Sequence, residues 1–279
     1  MGAIFGPAGN SDSYDKKNIT LLEYLNNFEL GAYEYQCGRG VRISSESAAK
    51  FGRSMENIKL SIHAPYFISL SSVDEDKRNN SVKYILQTAK IAKCMGADRV
   101  IVHSGSCGKI TRREALELAK DTIFRALSAL KEQDLEDISI CPETMGKVNQ
   151  LGDVDEVLSL CEISENMIPC IDFGHLNART FGKVNSFDEY SKILNKIEDK
   201  LGIDRLKAFH SHFSKIEYTI PGGEKRHLTF ADDRYGPEFE PLAEIVARRN
   251  LSPIFICESS GTQAEDAQRM QAIYKNFCD

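Results

Sequence analysis

The sequence contains little of what marks several specialised protein classes. Its longest apolar runs, 99–102 and 252–256, have the length of strands, far below the ~20 residues that span a bilayer. The first residues, Met1-Gly2-Ala3-Ile4-Phe5-Gly6-Pro7, carry no charged stretch followed by an apolar one, so no secretory signal is expected and the cytoplasm is the expected location. The eight Cys (37, 94, 107, 141, 161, 170, 257 and 278) form no CxxC pair, which argues against a disulfide framework and for a reducing compartment. Cys141, Cys170 and Cys257 lie in apolar runs and read as small core residues. Basic charge is short as well: the net charge is −6, which argues against a strongly basic nucleic-acid module. No low-complexity linker divides the 279 residues, so the expectation is a single domain over 1–279. Hydrophobic residues at 42% and charged ones at 27% exclude a disordered or collagen-like chain.

What is present is an alternation. Short apolar runs fall at 3–5, 32–36, 59–63, 99–103, 139–143, 168–172, 207–211 and 253–257. Between them lie amphipathic stretches such as 112–133, where Ala115, Leu116, Ala119, Ile123, Leu127 and Leu130 recur every three or four residues. The strands are apolar throughout, as when both faces of a parallel sheet are buried. Eight such units in this length predict an α/β fold, a (β/α)8 TIM barrel. An open doubly wound sheet fits less well, because Gly6-Pro7-Ala8-Gly9-Asn10 lacks the dinucleotide-binding fingerprint. One connection, 213–237, is long and contains the turn signal Pro221-Gly222-Gly223; a loop of this length inside a compact domain usually serves function.

The histidines are the main positional signal. All six lie at or just beyond the ends of predicted strands, or in the long loop: His63, His103, His175, His210, His212 and His227. Glu143, Asp172 and Glu258 end strands too. In a barrel these ends converge on one rim, where catalytic groups collect. So many carboxylates and imidazoles cannot share a buried site without a cation. Nitrogen and oxygen ligands without thiolate suit Zn2+, with Mn2+ or Fe2+ as alternatives. Their number exceeds the needs of one tetrahedral ion, so two or three ions are expected.

At these residues the sequence resembles the endonuclease IV family, metal-dependent apurinic/apyrimidinic endonucleases on a (β/α)8 barrel. The likeness rests on Ser61-Ile62-His63-Ala64-Pro65-Tyr66, Val102-His103-Ser104-Gly105, Pro142-Glu143-Thr144-Met145, Ile171-Asp172-Phe173-Gly174-His175 and Cys257-Glu258-Ser259. The resemblance implies that His63 and His103 bind a first Zn2+ and that Glu143 bridges it to a second. It implies that Asp172, His210 and Glu258 complete the second site, and that His175 and His227 hold a third. Glu258 and Glu143 are then the catalytic carboxylates, and Tyr66 lies close to the abasic nucleotide. The implied substrate is duplex DNA with abasic sites, cut 5′ to the lesion, by an enzyme expected to be monomeric and to have no protein or membrane partner.

The sequence also departs from that family. Where the family has an Asp-x-His pair in the long loop, this chain reads Lys225-Arg226-His227. Glu224, Asp232 and Asp233 are the acidic groups nearby. His212 stands where the family tends to have a small amide, and reads as a group that contacts substrate or supports a ligand. The stretch after the second strand, Gln36-Cys37-Gly38-Arg39-Gly40-Val41-Arg42, lacks the family's Gln- and Trp-rich pattern, leaving Arg39 as the residue that probes the DNA. Arg42, Lys109, Arg112, Arg113, Lys147, Arg179, Lys183, Lys215, Lys225, Arg226 and Arg234 are further rim cations that could meet phosphates. The alternative is a sugar isomerase or epimerase on the same barrel type, with Glu, Asp, His and Glu around one divalent ion.

Overall fold

A computed structural model describes residues 2–278. Eight parallel strands form one sheet: β1 (Ile4–Pro7), β2 (Ala32–Gln36), β3 (Lys59–His63), β4 (Arg99–His103), β5 (Ser139–Glu143), β6 (Cys170–Asp172), β7 (His210–Phe213) and β10 (Ile254–Cys257). The spatial order β1-β10-β7-β6-β5-β4-β3-β2 runs round a barrel. An Ala8–Glu34 bridge closes the seam between β1 and β2. The expected (β/α)8 barrel is the observed fold.

Helices form over the periodic stretches, and a further helix, over Phe173–Arg179 directly after β6, was not predicted. The longest are α3 (Glu75–Met95), α4 (Arg112–Lys131) and α7 (Phe187–Leu201). Thr111 and Glu114 cap the start of α4 reciprocally, satisfying backbone N–H groups that the helix itself leaves unpaired. Between barrel and helices lies an aromatic layer in which Phe239 meets Phe5, Phe213 and Phe255 at centroid distances of 6.1, 4.9 and 5.2 Å.

Two departures from the sequence reading bear on the site. The long connection contains a two-stranded antiparallel hairpin, β8 (Ile216–Thr219) and β9 (Gly223–His227). Lys207, expected to begin the seventh strand, instead ends a short helix, α8 (Ile203–Lys207), and β7 starts three residues later at His210. Alternation along β7 sends His210 and His212 into the barrel, while Phe213 packs outward against Phe230 and Phe239.

Candidate metal centre

The C-terminal strand ends form a bowl, a cavity of about 430 Å3 lined in part by His63, His103, Glu143, His175, His227 and Glu258. It adjoins a shallower hollow of about 570 Å3 along Tyr66, the hairpin and 258–261. Glu143, which ends β5, is 1% exposed and stands at the centre. Its Oε2 lies 3.3 Å from His63 Nε2 and 3.2 Å from His103 Nε2, and its Oε1 lies 3.1 Å from His212 Nδ1. Asp172 ends β6 and caps α6 (Phe173–Arg179): its Oδ1 accepts from the His175 N–H at 2.7 Å. Its Oδ2 is buried without a hydrogen bond, 3.2 Å from His175 Nδ1.

Hydrogen bonds behind the rings fix which nitrogen faces the bowl. His63 Nδ1 donates to the Ala64 carbonyl at 2.8 Å, and His175 Nδ1 to the Thr144 carbonyl at 2.9 Å. In the neutral ring each Nε2 is then the nitrogen with the free lone pair.

The hairpin supplies the outer wall. It docks on the loop after β5 through the Lys147–Gly223 bridge and a bond from Glu224 N to Gly146 O of 3.1 Å. Gly223 has φ +82°, and a Cβ there would lie 2.3 Å from Gly146 O, so only glycine permits this approach. The docking brings Glu224 Oε2 to 3.5 Å from His175 Nε2. His227 Nδ1 lies 2.8 Å from Ser214 Oγ.

Four groups of side chains could each hold an ion, their ligand atoms lying within 4.8 Å of one another: His63–Glu143–His212, Glu143–Asp172–His212–Glu258, His175–Glu224–His227 and Cys170–His210–His212. The first three line the bowl. Their donors fit a divalent cation. Two ligands about 2.05 Å from a tetrahedral ion are about 3.3 Å apart, and the imidazole–carboxylate distances around Glu143 match that spacing better than the ~2.7–2.9 Å of a charged hydrogen bond. Asp172 Oδ2, buried without a hydrogen bond and 3.2 Å from His175 Nδ1, is a further oxygen ligand.

Burial and neighbouring charge set the protonation of the metal-free bowl. Burial alone raises the Glu143 carboxyl, but His212, His103 and His175 outweigh it and hold the group well below the usual carboxylate range. Burial pushes Asp172 up to about 6, with His175 opposing. His175 and His212 sit well above the ordinary imidazole value, because the surrounding groups, Asp172 for the first and Cys170 and Glu34 for the second, overcome burial. His103 is lowered by burial.

The structure places one expected ligand apart from the residues it was expected to join. His210 was expected beside Asp172 and Glu258, and His212 beside substrate. Parallel register places Asp172 level with His212, and Cys170 level with His210. His210 is therefore one pleat deeper, about 6.6 Å along the strand, where its Nε2 bonds Glu34 Oε2 at 3.0 Å. Burial pushes its imidazole down to about 4. His212 instead lies beside the Asp172 and Glu258 carboxylates, 3.5 Å from Glu258 Oε1. Glu34 itself was missed. The one available signal was a carboxylate in the middle of the apolar strand Ala32–Gln36.

Tyr66 is half-exposed over the bowl, its ring 5.0 Å from that of His63 and 5.4 Å from that of His103. A Cβ on Gly38 would lie 2.2 Å from that ring. Arg39 and Arg42 are exposed beside it. Several expected rim cations are used internally. Arg112 pairs with Glu156 at 2.6 Å, Arg179 donates to the Met145 carbonyl, and the buried Lys215 pairs with Glu238 at 3.0 Å. Lys225, the residue standing where an acidic ligand was expected, pairs with Glu217 at 2.6 Å. Asp232 Oδ1 is engaged in its own turn by the Arg234 and Tyr235 N–H groups.

Residues 25–276 match the family described as xylose isomerase-like TIM barrel. The chain belongs to that family. An uncharacterized protein of Methanocaldococcus jannaschii is 35% identical over 256 residues, 92% of this chain and 91% of that protein. A "probable endonuclease 4" of Mycoplasma pneumoniae is 29% identical over 199 residues, 69% of this chain and 65% of that protein. The expected likeness to endonuclease IV is thus found in sequence. Among solved structures, a D-tagatose 3-epimerase-like protein superposes with a TM-score of 0.70 at 19% identity, covering 92% of this chain and 91% of that one; at this identity the likeness is one of fold. No helix among the described residues is long and apolar enough to cross a membrane.

Proposed function

We propose that this chain is a metal-dependent apurinic/apyrimidinic endonuclease, hydrolysing the phosphodiester 5′ to abasic sites in duplex DNA as a step of base excision repair. The observation that carries the reading is the run of three ligand groups across one bowl, two of them sharing Glu143 and His212 and the third reaching to the hairpin. His63, His103, Glu143, Asp172, His212 and Glu258 would hold two Zn2+, and His175, Glu224 and His227 a third. When bound, such ions neutralise the charge that develops on a phosphoryl group during in-line displacement.

The chain's own residues supply the rest. Glu258, 13% exposed where Glu143 is 1% exposed, is the carboxylate able to orient and deprotonate an incoming water. Tyr66 covers the bowl with an apolar face against which a base-free sugar can lie. An abasic nucleotide is already unpaired, so drawing it into the bowl costs less than flipping an intact one. Arg39, Arg42 and Lys147 are exposed around the opening and would meet phosphates, so binding should weaken steeply with salt. The −6 net charge then matters less than its distribution, since Glu143, Asp172 and Glu258 face cations in the loaded protein. The test is incubation with a duplex containing one abasic site, with and without chelator. Incision that the chelator abolishes is expected, and a metal-replete protein that leaves the duplex intact would refute the proposal.

One observation favours a second reading. Glu143, Asp172, His212 and Glu258 alone make a complete ligand set for a single ion, as a sugar epimerase on this barrel would need. Metal content separates the two: one ion per chain supports the epimerase, two or three the nuclease.

A further inference from the structure

The histidines of the bowl are braced from behind by different chemistry. Behind His63 and His175 stand the backbone carbonyls of Ala64 and Thr144, and behind His227 stands the Ser214 hydroxyl. All three are uncharged, although on the bowl side His175 Nδ1 also lies 3.2 Å from Asp172 Oδ2 and 3.3 Å from Glu143 Oε1. Behind His212 stands a carboxylate: its Nε2 lies 3.1 and 3.2 Å from the two oxygens of Glu34. Glu34 is fully buried in β2 and also accepts from Ser61 Oγ at 3.0 Å and Gln36 Nε2 at 3.1 Å. It also bonds His210 Nε2 at 3.0 Å, and it reaches the bowl directly through His212 and indirectly through Gln36, which accepts from the Tyr66 hydroxyl at 3.1 Å.

A carboxylate on the far nitrogen of a ligating imidazole fixes the tautomer, holds the ring plane and raises the basicity of the nitrogen facing the metal. Here it leaves Nδ1 of His212 aimed at Glu143 and Glu258. We propose that Glu34 is a positioning residue that makes Glu143–Asp172–His212–Glu258 the first and tightest metal site of the bowl, the groups reaching to His63 and to the hairpin filling afterwards. The inference rests on the bowl being a metal centre and is independent of the reaction performed there. Loading is then ordered from the barrel floor outward, and a partly loaded protein is a one-ion protein.

The test uses the full chain stripped of metal and titrated with Co2+ against a competing chelator, read by visible absorbance. Glu34→Gln keeps the shape but loses the charge. It should weaken the first equivalent by about 10- to 100-fold and leave later equivalents unchanged. Ser214→Ala should do the reverse, weakening only a later equivalent. A folded Glu34→Gln protein that takes up its first ion as tightly as the wild type overturns the inference. A second measurement needs no variant. With one equivalent of Zn2+ bound, imidazole 15N spectra of the wild type should show a metal-shifted Nδ1 and a protonated Nε2 on His212. A first shift on His175 or His227, or metal on His212 Nε2, overturns the inference too. Failure of the wild type to bind any ion would instead remove the metal centre itself, an outcome distinct from both.

Discussion

On the floor of the bowl, Glu143, Asp172 and His212 end or near the ends of barrel strands and are at most 1% exposed. On the hairpin wall, Glu224 and His227 are 16% and 26% exposed. The floor residues are fixed by a closed parallel ladder whose neighbours on both sides set their height. The wall residues ride on two strands that reach the barrel through a bridge at Gly223 and a few loop bonds. A buried donor without a partner costs about 1–3 kcal/mol, so the floor tolerates little change. The wall, partly in water, tolerates Lys225 turned outward onto Glu217. Metal-site chemistry can thus be rigid in one half of a bowl and adjustable in the other.

Substitutions should separate the two halves. The largest effect belongs to Glu143→Ala, which should lose bound metal and reduce incision by on the order of 10²–10³-fold or more; metal analysis alongside single-turnover cleavage checks it. His212→Asn should release the first ion and abolish incision. His210→Asn, two residues away, should retain metal while losing about 1–3 kcal/mol of stability through its bond to Glu34. Equal metal loss in the two variants would erase the distinction between them. Glu224→Gln should lose only the outermost ion and slow turnover by roughly tenfold, with floor occupancy unchanged.

Acidity gives a further contrast. His175 and His212 are held above the ordinary imidazole value in the metal-free fold. Their contribution to stability is therefore full at low pH and is lost as pH rises through the raised values. Metal requires the neutral rings, so the increase in Tm on adding Zn2+ should grow as pH rises above the ordinary imidazole value and through the raised ones. Melting curves with and without metal at each pH would test the sign. The smallest effect is expected at the rim: Arg39→Ala should weaken duplex binding modestly and lower the salt slope by about one, with no loss of metal.

Much of the barrel was readable in the chain, because a strand buried on both faces must be apolar and the helix between two strands must be amphipathic. His63, His103, Glu143, Asp172 and Glu258 could be placed at strand ends for the same reason. The choice between His210 and His212 could not. Both point inward, and only pairing of Asp172 with His212 shows which one reaches the bowl. Likewise the hairpin inside 213–237 is held by contacts with Gly146 and Lys147, far away in sequence, so composition marked the segment only as a long loop. Glu34 was unreadable because a carboxylate in an apolar run acquires meaning only from its partners, and these come from β3 and β7.

By itself, then, the sequence determined the barrel and the inventory of ligand-type residues on its rim, since hydrophobic periodicity and residue type are local properties. The tertiary structure alone decided which imidazole shares a site with which carboxylate, that Glu224 meets His175 and His227, and that Glu34 stands behind His212. Those relations depend on strand register and loop docking, which no single segment of the chain encodes.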